Sequence, residues 1–169
     1  MEFFICKAGT TNHWNFREHL AAAMGCQNMQ EVYNKLVREY GGDEVAIIVT
    51  PHHSARSFAF AAENDSYNMT EYALVYTEGW SSDRAGTYIH ELLHLFGSED
   101  FYFPEDTVKA AQRYFPDTIM SHSSCTAYFD PVTRHLIGWT NRLTQKAKNF
   151  LDDTKHLTRF MIIEARRHA

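Results

Sequence analysis

His90, Glu91 and His94 stand in the pattern His-Glu-x-x-His, followed by Gly97 and Asp100. On an α-helix, residues four apart share a face one turn apart, so His90 and His94 can aim both imidazoles at one point. Glu91 sits beside the first of them, where its carboxylate can act as a base without being a ligand. Two neutral nitrogens and a base next to an open coordination position are what zinc-assisted hydrolysis needs. A catalytic zinc usually has a third protein ligand. Gly97 is the residue type that takes positive φ at no steric cost, so it can end the helix and turn the chain back. Asp100 then reaches the metal from a different direction, whereas a continuing helix would carry it away from both histidines.

The run His90-Glu-Leu-Leu-His94-Leu-Phe-Gly97-Ser-Glu-Asp100 resembles the zinc signature of the metzincin metalloproteases. Aspartate as third ligand is similar to the snapalysin-like branch; most metzincins carry a third histidine there. Phe115-Pro-Asp-Thr-Ile-Met120-Ser121 is similar to the metzincin Met-turn, a methionine in a tight turn beneath the metal. The resemblance spans roughly residues 44 to 140. It implies an α+β, metzincin-like zincin fold, a mixed twisted sheet with packed helices. It further implies one catalytic domain over residues 1–169, with an N-terminal subdomain to about 97 and a C-terminal one from about 98. Zn2+ is the implied cofactor, with His90, His94 and Asp100 as ligands and Glu91 as general base. Met120 is expected to pack under the metal, since a soft thioether suits copper(I) better than zinc. His122 stands where several metzincins hold a tyrosine, and it and Tyr128 are candidate donors to an oxyanion. Glu105 and Asp106 stay open as alternative carboxylate ligands, as does Glu164 in a gluzincin-like arrangement.

The activity this implies is hydrolysis of peptide bonds by a monomeric zinc endopeptidase acting on peptides or proteins. The alternatives are a metal-binding module without turnover and a zinc hydrolase of a non-peptide amide. An aspartate ligand adds negative charge to the metal's first shell, so the zinc acidifies water less than a three-histidine site would. More of the activation then falls on Glu91.

Composition sets the outer bounds. A chain of 169 residues is long enough for one domain with a real core, and its apolar and charged fractions of 44% and 22% are ordinary. The net charge of −5, with no long run of one sign, gives nucleic-acid binding no electrostatic support. No apolar run approaches the roughly 20 residues that span a bilayer. The N-terminus lacks the basic and apolar regions of a signal peptide. Three cysteines (Cys6, Cys26 and Cys125) make an odd number without metal-type spacing. These features point to reduced thiols and a cytoplasmic setting, or a secreted one if a leader has been removed. Cys6 as a thiol masking zinc is a lesser reading than a buried structural thiol.

The elements that must position these residues follow from periodicity. Residues 2–7 read as a short strand. Asn12 to Met24 reads as a helix stopped by Gly25, with Phe16, Leu20 and Ala23 on one face. A second helix starts at Asn28 with a capping-box-like Asn28-x-x-Glu31, carries Val32, Tyr33, Leu36, Val37 and Tyr40, and ends at Gly41-Gly42. Both would pack on a sheet. Glu44 to Thr50 is a β-branched run, expected as a buried central strand. The adjacent His52 and His53 point apart and read as a solvated loop. Ser57-Phe-Ala-Phe-Ala61 alternates as a strand does; the resemblance places an edge strand that pairs with substrate at about this point. Tyr72 to Thr77 is the next strand. Ser81-Ser-Asp83 supplies N-cap chemistry for the zinc helix, whose core stripe reads as Ala85, Ile89, Leu92 and Phe96, with the histidines on a neighbouring face. Phe101 to Pro104 should pack near the site, and Glu105 and Asp106 read as an N-cap pair for a helix to Arg113. Asp130 to Trp139 is a turn-rich return, and Asn141 to Asp153 a helix with Leu143, Ala147, Phe150 and Leu151 apolar. Phe160 to Ile163 fits strand or helix, and residues 165–169 a frayed tail.

Overall fold

A computed structural model describes residues 16–41, 45–52, 54–60, 71–78, 84–124 and 127–154. The strand expected at 2–7, the start of the first helix, Gly42, Glu44, His53, the caps Ser81 to Asp83, Cys6, Cys125, Glu164 and the C-terminal stretch fall outside them. The described part is mixed α+β, with six helices and a three-stranded sheet. Packing divides the chain into two compact units, Met1–Ile47 with Ala62–Glu71 and Ile48–Ala61 with Tyr72–Ala169; Gly97 lies inside the second.

In the first unit, α1 (Phe16–Ala23) and α2 (Met29–Tyr40) pack on each other. Asn28 caps α2 by accepting the Glu31 N–H at 3.0 Å. Glu31 reaches back to the N–H of Gln27 rather than of Asn28 itself. Gly41 closes the helix in the left-handed region at φ 63°.

The second unit holds everything else. Its sheet runs β1 (Ile48–Val49), β3 (Tyr72–Leu74), β2 (Phe58–Phe60), with β1 parallel and β2 antiparallel to β3. Of the strand expected at 44–50, the described residues pair at Ile48 and Val49, half-buried at an edge of the described sheet; the strand expected at 2–7 lies outside it. The centre is β3, whose three residues are all buried. A β-branched run signals burial but not rank order, and β3 earns the middle place by pairing on both sides. The Ser57 to Ala61 segment yields β2, at the other edge of the described sheet.

Below the sheet's companion helix α3 (Arg84–Leu95) lies the core. Leu93, Phe101, Phe115, Ile119, Met120, Val132, Phe150 and Leu151 belong to one buried cluster. It is built where α4 (Glu105–Tyr114) packs on α6 (Gln145–Asp153), with α5 (Pro131–Leu136) alongside. Phe101 and Phe115 meet the Phe150 ring at centroid distances of 4.8 and 5.4 Å. Two expected boundaries shift, and one helix stands where none was expected. The return after Asp130 contains α5, because the Asp130 carboxylate accepts from the N–H groups of Val132 and Thr133 and Pro131 suits a first helical position. The last helix starts at Gln145, where Thr144 caps it, not at Asn141. Glu105 and Asp106 lie in the first turn of α4, with Pro104 at the cap position, and not at the cap themselves.

Candidate metal centre

The zinc-helix segment is α3, and its buried face is not the one apolar periodicity gives. Ala85 and Phe96 are exposed, while Gly86, His90, Glu91 and Leu93 are buried. The reason is local. A turn at 118–121 and the ring of Tyr102 cover His90, and the backbone at Ser123 lies directly against Gly86, where any Cβ would collide with the Ser123 carbonyl oxygen. Apolar stripes locate burial only where burial is apolar, and here the buried face carries the polar His90 and Glu91.

After Leu95 the chain leaves the helix through Gly97 at φ 88°. The Gly97 N–H donates to His94 O at 3.0 Å and the Ser98 N–H to Leu93 O at 3.0 Å, the paired bonds of a Schellman turn. That turn delivers the Ser98 carbonyl to His94 Nδ1 at 2.7 Å. On the other side, the turn carrying Met120 delivers the Ile119 carbonyl to His90 Nδ1 at 2.8 Å. The next carbonyl, of Met120, accepts the Phe101 N–H at 2.8 Å and so fixes the chain just after Asp100. One turn thus holds the first histidine and the backbone beside the carboxylate. The Met120 side chain itself is fully buried in the core cluster.

A carbonyl can only accept, so each Nδ1 carries its proton and each Nε2 presents a lone pair. The two Nε2 atoms lie 3.2 Å apart, and Asp100 Oδ1 lies 3.1 Å from each. These three atoms form a nearly regular triangle, and His90, His94 and Asp100 are the one such ligand group among the described residues. Asp100 Oδ1 is buried with no aligned hydrogen-bond partner. Three facing acceptors repel one another unless a cation stands between them, so the residues fit a metal ion. Three corners of a tetrahedron with that edge lie about 1.9 Å from its centre, close to the roughly 2.0–2.2 Å of zinc–nitrogen and zinc–oxygen bonds. The same triangle is a face of an octahedron of radius about 2.2 Å, so the spacing selects a two-histidine, one-carboxylate donor set rather than one metal.

Protons compete for the same place. Burial works to lower the His94 pKa, but the Asp100 carboxylate and the Ser98 carbonyl outweigh it and raise it. Burial works to raise the Asp100 carboxyl, but the imidazoles of His90 and His94, with Tyr102, hold it below the carboxylate range.

Glu91 is buried, and its pKa is raised by desolvation against the opposing pull of His90 and His94. Among the described residues its carboxylate makes no hydrogen bond or ion pair. It lines, with His90, a cleft of about 510 Å³ whose walls include Ser57, Tyr76, Tyr102 and His122. His122 is therefore on the cleft wall. Tyr128 is not among the residues that line it; its backbone bridges to Thr118. Glu105 pairs with Lys109 at 2.7 Å and Asp106 Oδ1 accepts the N–H of Thr107, so neither joins the triangle. His52 bonds to Thr77 and Glu78, apart from it.

No protein-family model, curated protein or solved structure matches this chain. The site must be read from its own geometry.

Two residues escaped the sequence. Arg56 Nη2 donates to the Tyr102 hydroxyl at 2.7 Å, and its guanidinium lies 5.4 Å from the Tyr102 ring centroid. The Tyr102 ring stacks on His90 at 6.1 Å. Burial and the neighbouring Asp100 carboxylate push the Tyr102 hydroxyl up to about 12. Tyr102 was foreseeable only as an aromatic near the site; Arg56, distant in sequence, carried no signal at all.

Proposed function

We propose that this chain is a zinc-dependent endopeptidase of metzincin-like fold that hydrolyses peptide bonds with Glu91 as general base. The observation that carries the reading is Glu91 itself. A buried carboxylate without a hydrogen-bond partner among the described residues costs stability, and here it stands one residue from a ligand, on the wall of the same cleft. A module that only held metal would have no use for it, and the donor set alone would equally suit iron. The raised affinity of Glu91 for a proton is what a base working near neutrality needs.

Zinc held by His90, His94 and Asp100 would supply a Lewis acid and an acidified water. The chain's own residues do the rest. The carbonyls of Ile119 and Ser98 keep both imidazoles in one tautomer and orientation. Glu91 takes the proton of the attacking water and passes it to the leaving amine. His122, on the cleft wall, is assigned as a donor to the developing oxyanion. An extended peptide entering the cleft would lie against β2, an edge strand of the described sheet that follows Ser57 on the wall.

Purified protein should contain about one zinc per chain and cleave a mixed peptide library; Asp100→Ala should lose both the metal and the cleavage. A protein that retains iron in preference to zinc, or Asp100→Ala with undiminished zinc, would overturn the assignment.

A further inference from the structure

The cleft carries a cation that hydrolysis does not require. Arg56 is the one lysine or arginine among the described residues lining it, and it makes no ion pair among those residues. Its bonded partner is a neutral hydroxyl, that of Tyr102, which spends one of five guanidinium N–H donors. The side chain is exposed rather than packed away. An arginine serving structure alone would normally be matched to a carboxylate; among the described residues this one is held by Tyr102 from one side, feels Asp100 and Glu91 only at longer range, and meets no carboxylate at ion-pair distance. A planar fork with free donors is the group best matched to a carboxylate.

We propose that Arg56, positioned by Tyr102, is a carboxylate-recognition residue, and that the substrate is a peptide bearing a carboxylate close to the cleaved bond. The two ring separations, 5.4 Å from guanidinium to Tyr102 and 6.1 Å from Tyr102 to His90, limit how far that carboxylate can be. It lies within a few residues of extended chain from the metal triangle. Either the C-terminal carboxylate of a short leaving segment or an aspartate or glutamate side chain would meet this requirement. The inference rests on the endopeptidase reading for the word "cleaved", but the carboxylate subsite stands on Arg56 and Tyr102 alone.

The test separates the two. Calorimetric binding is measured with zinc-loaded Glu91→Gln protein, which does not turn over. One pair of probes is N-acetyl-Ala-Ala as free acid and as amide; the other is N-acetyl-Ala-Glu-amide and N-acetyl-Ala-Gln-amide. In at least one pair the acid should bind about tenfold tighter or more, the range of a charge-assisted hydrogen bond. Adding Arg56→Ala should close that gap, Arg56→Lys should keep part of it, and melting temperatures of all variants check that the fold is intact. The pair that shows the gap identifies the source of the carboxylate. No gap in either pair, or a gap that survives Arg56→Ala because the acid binds the metal directly, would overturn the proposal. Cleavage of a peptide library without any Arg56-dependent preference for acids would overturn it and leave the endopeptidase standing. Arg56-dependent acid binding with no cleavage by wild type would do the reverse.

Discussion

Among single residues, a metal bound at the proposed centre would compete with protons. His94 has a raised pKa in the folded chain, so its contribution to stability is full below its unfolded value and lost as pH rises through the folded one. Asp100 has a lowered one, so its contribution is full above its unfolded value and lost as pH falls through the folded one. In the metal-free protein the pair is strongest between about pH 4 and 6.5. A metal must displace the proton that His94 holds, so metal affinity should climb with pH through that range, with about one proton released per ion. Titration calorimetry in buffers of different ionisation heat reads the proton count; a pH-independent affinity would contradict the shared site. Glu91 behaves oppositely to Asp100. Its raised pKa means the fold prefers the neutral acid, and stability is lost as pH rises through its folded value. Metal-free Glu91→Gln should therefore melt above wild type at pH 7, the gap closing toward pH 4. The residue pattern made His90, Glu91, His94 and Asp100 legible because helix geometry and one glycine dictate where they go. Arg56 and Tyr102 were not legible, because an arginine bonded to a tyrosine 46 positions away leaves no periodic trace.

At the scale of elements, the centre is held by two turns and one aromatic anchor. Gly97→Ala forces a side chain into the positive-φ region and should cost about 1 kcal/mol of stability. It should weaken zinc binding as well, since the same turn aims Ser98 at His94. Gly86→Ala would drive a methyl into the Ser123 backbone and displace the segment that carries His122. A loss of about 1–3 kcal/mol in urea unfolding is expected, with cleavage reduced more than zinc content. Phe101→Ala empties a fully buried site next to Asp100 and should cost about 3–5 kcal/mol. Gly97 was readable in advance from its offset to the ligands. Gly86 was not, since a close approach between segments 37 residues apart has no signature in either. The helices around the site were largely foreseen, but the last one starts later than expected because Thr144 caps it, and the short α5 was not foreseen at all, because its Asp130 cap sits in a stretch rich in turn residues. Strand extent and order were not readable for a different reason, since pairing partners are long-range and a two-residue ladder is too short to read.

At the scale of the whole molecule, the site and the core are one construction. The buried Asp130 carboxylate accepts from Thr118 and Thr133 hydroxyls and from two N–H groups at the start of α5, tying the Met120 turn to that helix. Metal binding at a centre so joined should stabilise the fold broadly. Zinc at a thousandfold excess over its dissociation constant adds about 4 kcal/mol, seen as a higher melting temperature that Asp100→Ala abolishes. None of the described helices is long and apolar enough to cross a membrane. Turnover separates a hydrolase from a module that only holds metal, and one measurement reaches it. Wild type and Glu91→Gln are incubated side by side with a mixed peptide library, with zinc and with chelator, and products are read by mass spectrometry. The account predicts cleavage by zinc-loaded wild type, none with chelator, and a loss of about 100-fold or more in Glu91→Gln that still holds its zinc. Cleavage that survives Glu91→Gln, or zinc-loaded wild type that cuts nothing in the library, would contradict it.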